Sequence, residues 1–415
     1  MTPQPSQHQL DTVVVGGGQA GLAMGYYLAA QHRDFMILEA GGRVGDTWRN
    51  RWDSLRLFTP AFHSGLPGMP FPAPRHSFPT KDQTADYLEA YAERFQLPIR
   101  LGRRVQSLSR YDSGYLVRAG QERYTAEHVV VATGPYHHPH VPSFAADLDP
   151  TIAQLHSSRY RNPGQLPAGD VLVVGAGNSG AEIAVELAAT RRTCLSGPDV
   201  GHAPIWLIHN RFSLWLADHL LTTDTRLGRR MREGRRRRGD PLVRLKPSDI
   251  LAAGVQRVPR VDGVVDGTPR LADGQRLEVA VVVWATGFRP DFGWIDLPVF
   301  DDAGNPIHHR GVVAAAPGLY FLGLPFQYTP TSDHVGGVGR DARHLAQHLA
   351  ALAAHPGVAY DTPHRQPEPT ARPHPTGAGR EERSNRWTAQ QAGKGHRRRP
   401  PASPWPAWWS RPPAS

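Results

Sequence analysis

The sequence predicts an α/β fold built on parallel sheets. Runs of consecutive aliphatic or β-branched residues recur along the chain, and such runs are typical of strands that are covered on both faces. Helical patterns follow these strands, and strands that alternate with helices favour parallel sheets. Two of the strands lead directly into a glycine-rich turn that opens a helix, in VVVGGGQAGLAM from residue 13 and in VLVVGAGNSGAEI from residue 171.

The composition is that of a globular protein of two or three domains. The 415 residues are 40% hydrophobic and 20% charged, and the net charge is +10. The one cysteine, Cys194, excludes an intrachain disulfide and any CxxC dithiol, which predicts a cytoplasmic protein. The sequence contains no run of about 18 apolar residues, so no membrane span is predicted. The absence of Lys and Arg from residues 1–10 argues against a secretory signal.

The first unit opens with the aliphatic strand that precedes the first turn. FMILE and HVVVATG are similar apolar runs and predict two more buried strands. A segment rich in Gly, Pro, Trp and Arg predicts an ordered loop, and Tyr87, Leu88, Tyr91 and Phe95 fall on one helical stripe. In chain order we predict strand 12–16, helix 19–32, strand 35–39, loop 41–80, helix 81–95 and strand 128–134.

The second unit repeats this pattern, and a tail of different character follows it. From residue 356 the chain is rich in Pro, Arg and His, with ten Lys or Arg against four Asp or Glu. These residues hold too little apolar surface to offset their ordering entropy, so we predict a disordered tail. Before the tail we predict strand 171–175, a helix to residue 190, strand 192–196, strand 277–287, strand 318–323 and helix 338–354.

The first turn has the spacing G-x-G-x-x-G through Gly16, Gly18 and Gly21. Gly16 allows the tight turn, Gly18 lets a pyrophosphate approach the backbone, and Gly21 lets helix and strand pack closely. The helix N-terminus then offers free N–H groups to the phosphates. Glu39 ends the second strand, where a carboxylate accepts hydrogen bonds from an adenosine ribose. A turn that only packs is the alternative, but its context favours dinucleotide binding.

The second turn repeats the spacing through Gly175, Gly177 and Gly180. No acid ends its second strand, and Arg191 and Arg192 stand at the start of that strand. This combination favours the 2′-phosphate of NADP over the free ribose of NAD. The alternative is that both arginines only solvate the end of a helix.

Two such turns predict two dinucleotides on one chain, FAD on the first and NADPH on the second, with hydride passing between them. The fold prediction is therefore two Rossmann-like dinucleotide-binding domains, with the NADP domain inserted into the FAD domain. We predict the first part of the FAD-binding domain over 1–164, the NADP-binding domain over 165–289, the second part of the FAD-binding domain over 290–355 and the disordered tail over 356–415.

Further motifs resemble those of the flavin-containing monooxygenases, most of all the bacterial, YUCCA-like branch. The resemblance covers residues 10–355. Its motifs are GGRVGDTWRNRWDSLRLFTP at 41–60, ATG at 132–134, HSSRYR at 156–161 and WATGFRPDF at 284–292.

The family fingerprint F-x-G-x-x-x-H-x-x-x-Y/F is matched in its second half. His156 and Tyr160 occupy its last two fixed positions, whereas Pro150 and Ile152 stand in place of the Phe and the Gly. In the family the His and Tyr pack at the linker between domains, so the resemblance does not make them catalytic. No catalytic residue and no metal ligand is assigned.

The resemblance implies a set of cofactor-binding residues. It places Glu39 on the ribose of FAD, Thr47 and Trp48 along the flavin, and the backbone of Val105 beside the adenine. Relatives carry SGRD where this chain has Pro198, so Arg191 or Arg192 would supply the phosphate contact. The predicted cofactor-binding residues are Gly16, Gly18, Gln19, Ala20, Gly21, Glu39, Thr47, Trp48, Val105, Ala132, Gly134, Gly175, Gly177, Asn178, Ser179, Gly180, Arg191, Arg192, Ala285, Thr286 and Gly287.

The resemblance also implies a reaction. NADPH would reduce the flavin, O₂ would add at its C4a position, and the resulting hydroperoxide would oxygenate a small organic nucleophile. Two other functions stay open, namely an NAD(P)H-dependent flavoprotein reductase that passes electrons to a protein acceptor, and a redox-sensing flavoprotein. The sequence also leaves a homodimer open.

Two segments could indicate a macromolecular partner. The basic run GRRMREGRRRRGD at 228–240 favours a solvated loop over a nucleic-acid site, because no aromatic residues interleave with it. In WPAWWS at 405–410, the prolines break any amphipathic helix, so we predict a disordered segment without membrane contact.

Overall fold

The structure is a computed structural model that describes residues 7–204 and 210–354, so the predicted tail lies outside the described residues. Within these ranges no helix is both long and apolar enough to cross a membrane. The strands are β1 (Gln7–Val15), β2 (Phe35–Leu38), β3 (Ile99–Arg100), β4 (Val105–Tyr111), β5 (Gly114–Ala119), β6 (Glu122–Val131), β7 (His138–Pro139), β8 (Ala153–His156), β9 (Val171–Val174), β10 (Thr193–Ser196), β11 (Gln256–Val258), β12 (Val261–Val265), β13 (Thr268–Leu271), β14 (Val281–Trp284), β15 (Phe288–Arg289) and β16 (Leu319–Phe321). The helices are α1 (Gln19–Ala30), α2 (Asp46–Arg49), α3 (Lys81–Arg94), α4 (Asn178–Ala188), α5 (Arg211–Leu220), α6 (Arg226–Arg238), α7 (Pro247–Ala252) and α8 (Val338–Ala354).

The first sheet is assembled around the long strand β6. On one edge β6 pairs in parallel with β1, and β2 and β3 continue the parallel order. Its other edge is shared, because residues 122–126 pair with antiparallel β5 and residues 129–131 pair with parallel β16. The predicted α/β class with parallel strands is confirmed, and the antiparallel β4–β5 hairpin is an addition to it.

The second sheet has the order β11-β10-β9-β14-β8 and is parallel throughout. Strand β8 pairs with β14 although it precedes the predicted boundary at residue 164. Strand pairing therefore puts the start of the second unit earlier along the chain than the sequence does. The division into domains at 164 and 289 stays a prediction.

A small antiparallel pair joins the two units. The chain leaves the first sheet after β6 through β7 and returns from the second sheet after β14 through β15, and these two passages pair with each other. The N–H of His140 donates to the carbonyl of Gly287 at 2.9 Å, and the hydroxyl of Thr286 donates to the carbonyl of His140. We call β7 and β15 the crossing ribbon.

The predicted helix over 81–95 is confirmed as α3, and its start shows why the sequence forms a helix there. Thr80 Oγ1 accepts from the N–H of Gln83 at 3.1 Å, and Gln83 Oε1 accepts from the N–H of Thr80 at 3.0 Å. This reciprocal capping satisfies two N–H groups that the first turn leaves without a partner. Tyr87 and Tyr91 of the predicted stripe are buried in the core.

The loop after β2 is packed between the two units. Trp48, on α2, contacts both the apolar cluster that includes α1 and α3 and the cluster that includes α4. Trp52 and Leu55 are buried in the second of these clusters. The aromatic and aliphatic residues of the predicted ordered loop therefore fix its course by burial.

The basic run is a helix, so the prediction of a loop is wrong for these residues. Residues 226–238 form α6, and its N-cap Thr225 accepts from the N–H of Gly228 at 3.0 Å. Arginine has a high helix propensity, and the cap supplies the start that the composition alone does not reveal. Helix α5, which precedes it, was not predicted.

Candidate dinucleotide-binding sites and the cleft between them

The first glycine-rich turn joins β1 to α1 in a conformation that requires glycine. Gly16 has a φ of +109°, and a Cβ on it would stand 2.6 Å from the carbonyl oxygen of Ala132. A Cβ on Gly21 would overlap the carbonyl oxygen of Gly16. These two glycines are therefore explained by the turn itself and by the packing of the helix against it.

Crowding within the protein does not explain why residue 18 is a glycine. Apart from Gly18 itself and its two chain neighbours, no described residue has an atom within 4 Å of the position that a Cβ on Gly18 would take. Gly18 is the N-cap of α1, and no side chain caps the N–H groups of the first turn, which begins with Gln19 and Ala20. Open space over uncapped N–H groups is the cradle that a pyrophosphate needs.

Glu39 lies beside this cradle. Its Oε2 accepts from the N–H of Gly17 at 2.6 Å, and its Oε1 accepts from the N–H of Gly41 at 2.7 Å. The carboxylate thereby ties the turn to the loop that follows β2. Each oxygen retains a further lone pair, so the group can also accept from ribose hydroxyls.

The second turn repeats this geometry. Gly175 has a φ of +109°, and a Cβ on Gly180 would overlap the carbonyl oxygen of Gly175. The Cβ position of Gly177 is open among the described residues, as it is at Gly18. Gly177 is the N-cap of α4 and leaves the first N–H groups, at Asn178 and Ser179, without a side-chain cap. The equivalence indicates two ligands of one chemical class.

Each turn is backed by an ATG motif. The N–H of Ala132 donates to the carbonyl of Val15 at 2.8 Å, and the N–H of Ala285 donates to the carbonyl of Val174 at 2.7 Å. Gly134, like the last residue of the second motif, has a positive φ. The structure therefore brings both predicted ATG segments to the ends of the strands that carry the turns.

His156 and Tyr160, the two fingerprint matches, fasten the second unit. His156 Nε2 lies 2.9 Å from the carbonyl oxygen of Gly287, beside the crossing ribbon. Burial lowers the pKa of His156, so the imidazole is neutral at pH 7. Tyr160 is buried and its hydroxyl donates to Glu186 at 2.7 Å. These contacts hold the end of β8 beside the crossing ribbon and the segment after β8 to α4.

The remaining predicted cofactor residues lie in different settings. Thr47 is exposed and Trp48 is half-buried on α2, while Val105 opens β4. The side chain of Asn178 is already engaged by the protein, because its amide bonds the backbone of 241–243 at 3.0 Å through both the nitrogen and the oxygen. Asn178 therefore positions that segment beside the turn.

The structure does not bring Arg191 and Arg192 to the second turn. Both precede β10, whereas a ligand on the second turn lies beyond the carboxyl ends of β9 and β10. Arg191 donates to the carbonyls of Pro163 and Pro167 at 3.0 and 2.8 Å. Arg192 pairs with Asp170 at 3.3 Å. Nearness to the turn along the chain does not show at which end of the strand a residue stands, so the phosphate contact of these two arginines stays a prediction.

A cavity lies at the carboxyl ends of β9 and β10. It has a volume of about 160 Å³, and Ala176, Pro198, Ile250 and Arg257 are among its lining residues. Arg257, on β11, donates to the carbonyl of Gly197 at 2.8 Å. Its side chain lines the end of the sheet at which dinucleotides ordinarily bind in this kind of fold.

An acid that the sequence pattern did not indicate also borders this cavity. Asp199 lines it, and its Oδ1 accepts from the N–H of Gly201 at 2.8 Å. A carboxylate at this place favours a free ribose, whereas a guanidinium favours a phosphate. Arg257 and Asp199 therefore have opposite expected effects on the choice of nucleotide.

Buried polar atoms without a partner mark the space beside the first turn of α1. In the described part of the chain, Thr133 Oγ1, Asp333 Oδ1, His334 Nδ1 and His63 Nε2 are buried and have no hydrogen-bond partner. The carbonyl of Asp333 accepts from Gln19 Nε2 at 3.5 Å, so this group borders the start of α1. Because buried polar groups ordinarily have partners, these atoms fit a site that a polar ligand completes.

Burial determines the charge of these side chains. It lowers the pKa of His63 and His334 to about 4, and the neighbouring His334 lowers the pKa of His63 further. Burial raises the pKa of Asp333 to about 6 against the attraction of Arg235. At neutral pH both imidazoles are therefore uncharged, and Asp333 is mostly ionised.

Arg244 bridges the two units near the second turn. It lies 3.2 Å from Glu182 Oε1 on α4, and it donates to the carbonyl of Arg56 at 3.4 Å. Its guanidinium also stands 5.8 Å from the ring centre of Phe78. Burial raises the pKa of Glu182 to about 7, although Arg244 opposes this rise.

Glu182→Gln is expected to stabilise the protein at alkaline pH. The pKa of Glu182 rises from an ordinary 4.5 to about 7 in the folded state, so folding takes up a proton between these values. The free energy of unfolding therefore falls as the pH rises through this interval, and above it the fold holds a buried carboxylate. Removing the charge should gain about 1–3 kcal/mol at pH 8 and little at pH 5. Urea unfolding at both pH values measures this difference.

Glu186→Gln, one turn further along α4, is the matched control. Glu186 accepts from the hydroxyl of Tyr160, and its replacement should destabilise the fold similarly at both pH values. A gain from Glu182→Gln that is equal at the two pH values, or no gain at pH 8, would contradict the prediction.

Further groups near the two turns have weak or no signals in the sequence. Arg257 lies on the third strand of the second unit, and counting strands from the second turn would have found it. Asp333 and His334 precede two glycines and α8, a polar stretch at a helix start that resembles a ligand-binding turn. Arg244 has no local signal, because its partners are distant in sequence.

Comparisons with known proteins agree on the kind of protein. The profile of the pyridine nucleotide-disulphide oxidoreductase family matches residues 13–200. An uncharacterized CzcO-like oxidoreductase of Geobacillus kaustophilus is 44% identical, over 82% of this chain and 98% of the relative. The indole-3-pyruvate monooxygenase YUCCA1 of Oryza sativa subsp. japonica is 30% identical, over 84% of this chain and 95% of the relative.

A solved structure is similar over the same extent. The flavin-containing monooxygenase from Stenotrophomonas maltophilia superposes with a TM-score of 0.69 and 28% identity. The match covers 83% of this chain and 99% of that chain.

Proposed function

The chain belongs to the flavin-containing monooxygenase family, and on this premise we propose that it is an FAD-containing, NADPH-dependent monooxygenase that oxygenates a small organic nucleophile. The observation that carries the proposal is the pair of matched turns, each open at its middle glycine, on two sheets that the crossing ribbon joins. Hydride transfer from nicotinamide to flavin needs two dinucleotide sites that face one cleft.

FAD fits the first turn. We assign its pyrophosphate to the space over Gly18 and the N-terminus of α1, and its adenosine ribose to Glu39. The flavin ring would lie toward Trp48 and the buried polar atoms around Asp333 and His334. These atoms have no hydrogen-bond partner among the described residues, so a ring with carbonyl and N–H groups would satisfy them.

NADPH fits the second turn in the same way. We assign its pyrophosphate to Gly177 and the N-terminus of α4. We assign its 2′-phosphate to Arg257 in the adjoining cavity and not to Arg191 and Arg192, which lie before β10. The backbone of 241–243, held by Asn178, would form one wall of this site.

Bound FAD supplies the redox chemistry, accepting hydride from NADPH and activating O₂. The residues of this chain bind the two nucleotides, orient them across the crossing ribbon and keep water out. Trp48 contacts both units and thereby closes the space between them. His63 and His334 are uncharged at neutral pH, so neither releases an imidazolium proton into the site.

Thiol chemistry has no place in this proposal, although the matching family profile carries a disulphide in its description. The sequence has one cysteine, Cys194. It is buried on β10, and burial raises the pKa of its thiol. A buried thiol with a raised pKa is a poor nucleophile, and it has no second cysteine with which to exchange.

The experiment is a substrate panel under ¹⁸O₂. The purified holoprotein is mixed with NADPH and with a thioether, a tertiary amine or a ketone. One class should stimulate NADPH oxidation about tenfold or more and gain about one ¹⁸O atom per NADPH consumed. Product mass and peroxide are measured together.

Two outcomes would contradict the proposal. Recovery of all electrons as peroxide, with fast reduction of an added ferredoxin, would make the chain a reductase. Negligible NADPH oxidation with every substrate and acceptor would favour a redox-sensing flavoprotein.

A further inference from the structure

Helix α5 presents an apolar stripe to solvent. Phe212, Trp215, Leu216 and Leu220 recur at the spacing of one helix face, and all four are exposed, Phe212 by 65% and Trp215 by 53%. The rings of Phe212 and Trp215 stack with their centres 5.9 Å apart. A stripe of this kind ordinarily faces a core, so its outward direction needs an explanation.

Polar contacts hold α5 in this orientation. Asp218 is the buried residue of the helix, and its carboxylate pairs with Arg340 at 2.5 Å and accepts from the hydroxyl of Thr331 at 2.6 Å. After the helix, the N–H of Thr223 donates to the carbonyl of Tyr328 at 2.9 Å. The side of α5 that carries Asp218 therefore faces the protein, and the side that carries the apolar stripe faces out.

Helix α6, which follows, adds positive charge beside the stripe. Residues 211–238 contain nine arginines against three acidic residues. Arg226 and Arg230 are exposed on α6, and Leu227, between them, is 59% exposed. The helix is fixed to the body, because Arg235 donates to the carbonyl of Pro330 at 2.9 Å.

We propose that α5 and α6 form a docking surface for an anionic lipid bilayer. Aromatic and leucine side chains that enter the interface, flanked by arginines that pair with anionic headgroups, are the features by which a helix lies on a membrane. The excess of arginine favours an anionic bilayer over other partners. A second copy would bring the same excess of arginine, and residues 356–415 carry ten Lys or Arg against four acids, so both would be repelled.

The test is co-sedimentation of the full-length holoprotein with vesicles. Vesicles of equal parts phosphatidylglycerol and phosphatidylcholine should bind the protein, and vesicles of phosphatidylcholine alone should bind about tenfold less. Binding to the anionic vesicles should fall as salt rises, because the Debye length shortens. The double variant Trp215→Ser with Leu216→Ser should lower the partition coefficient about tenfold, since it removes two inserting side chains.

Matched controls separate the surface from general effects. Tyr111→Ser removes an exposed aromatic of β4, and it should leave binding unchanged. Arg226→Gln with Arg230→Gln should weaken binding about tenfold, whereas Arg118→Gln with Arg123→Gln, which removes two exposed arginines of β5 and β6, should not. Flavin content and thermal midpoint show that each variant is folded.

Three outcomes would overturn the proposal. Vesicle binding that the α5 variant leaves unchanged would place lipid contact elsewhere, for example in the basic tail. Self-association that the α5 variant abolishes, without vesicle binding, would make the surface a contact between copies. Retention on dextran sulfate without any effect of the apolar substitutions would show a general polyanion site.

Discussion

Gly18→Val is expected to give a folded protein that purifies without flavin. Gly18 has an extended backbone conformation, with φ of −77° and ψ of −171°, which valine also adopts. Apart from its chain neighbours, a Cβ at this position meets no atom of the described residues within 4 Å, so we expect the fold to accept the substitution. It would fill the space assigned to the pyrophosphate and weaken FAD binding by about 3 kcal/mol, roughly a hundredfold. Flavin absorbance per protein and the thermal midpoint with excess FAD measure the effect.

Gly177→Val is the reciprocal control. Gly177 has nearly the same backbone, with φ of −75° and ψ of −175°, and its Cβ position is equally open. This variant should retain its flavin and lose NADPH affinity to a similar degree. Gly21→Val differs from both, because its Cβ would overlap the carbonyl oxygen of Gly16, and it should fail to fold.

The two variants distinguish an effect on nucleotide binding from an effect on folding. If Gly18→Val retained full flavin, the first turn would not be the pyrophosphate site. If Gly177→Val lost flavin as well, the two turns would not serve separate nucleotides. Loss of folding in both would contradict the open space over the two glycines.

The sequence predicted those elements whose signal is local. The runs of aliphatic residues in β1, β9 and β14 indicate strands buried on both faces, and the helix over 338–354 has the bounds predicted for it. Strands with one exposed face were missed. In the β4–β5 hairpin, β5 alternates between buried and more exposed residues from Tyr115 on, whereas β4 has Leu108 as its buried residue, and the hairpin turns at Asp112, whose φ is +48°. A search for continuous apolar runs does not detect this pattern.

The residues of the candidate site also fall into two groups, those with a local signal in the sequence and those without one. The glycines of both turns and Glu39 are adjacent to strands that the sequence indicates, so their placement could be predicted. Arg257, Arg244 and Asp333 reach the cleft only through sheet order and long-range packing. The role of the basic run also depended on tertiary structure, because α5 supplies the aromatic residues that the run itself lacks.

Arg257→Ala is expected to raise the KM for NADPH about ten- to hundredfold and to change the KM for NADH little. The guanidinium lies at the carboxyl end of the second sheet, where it lines the cavity beside Ala176, and it is directed there by its bond to Gly197. Loss of one charge-assisted contact to a phosphate costs about 1.5–3 kcal/mol. Steady-state NADPH and NADH oxidation by the same preparation gives the ratio.

Two companion variants test whether a change in the ratio of the KM values for NADPH and NADH reflects selection of the 2′-phosphate by Arg257. Arg191→Ala with Arg192→Ala should leave both KM values unchanged, because these arginines lie before β10 and bond the backbone and Asp170. Asp199→Asn removes the acid beside the same cavity, and it should favour NADPH further by lowering repulsion of the phosphate. If the Arg191 and Arg192 substitutions raised the KM for NADPH and Arg257→Ala did not, the nucleotide would lie at the opposite end of the sheet. The rule that ligands bind at the carboxyl ends of parallel strands would then fail here. If Arg257→Ala raised both KM values equally, Arg257 would shape the adenosine pocket without selecting the phosphate, and Asp199 would then set the preference.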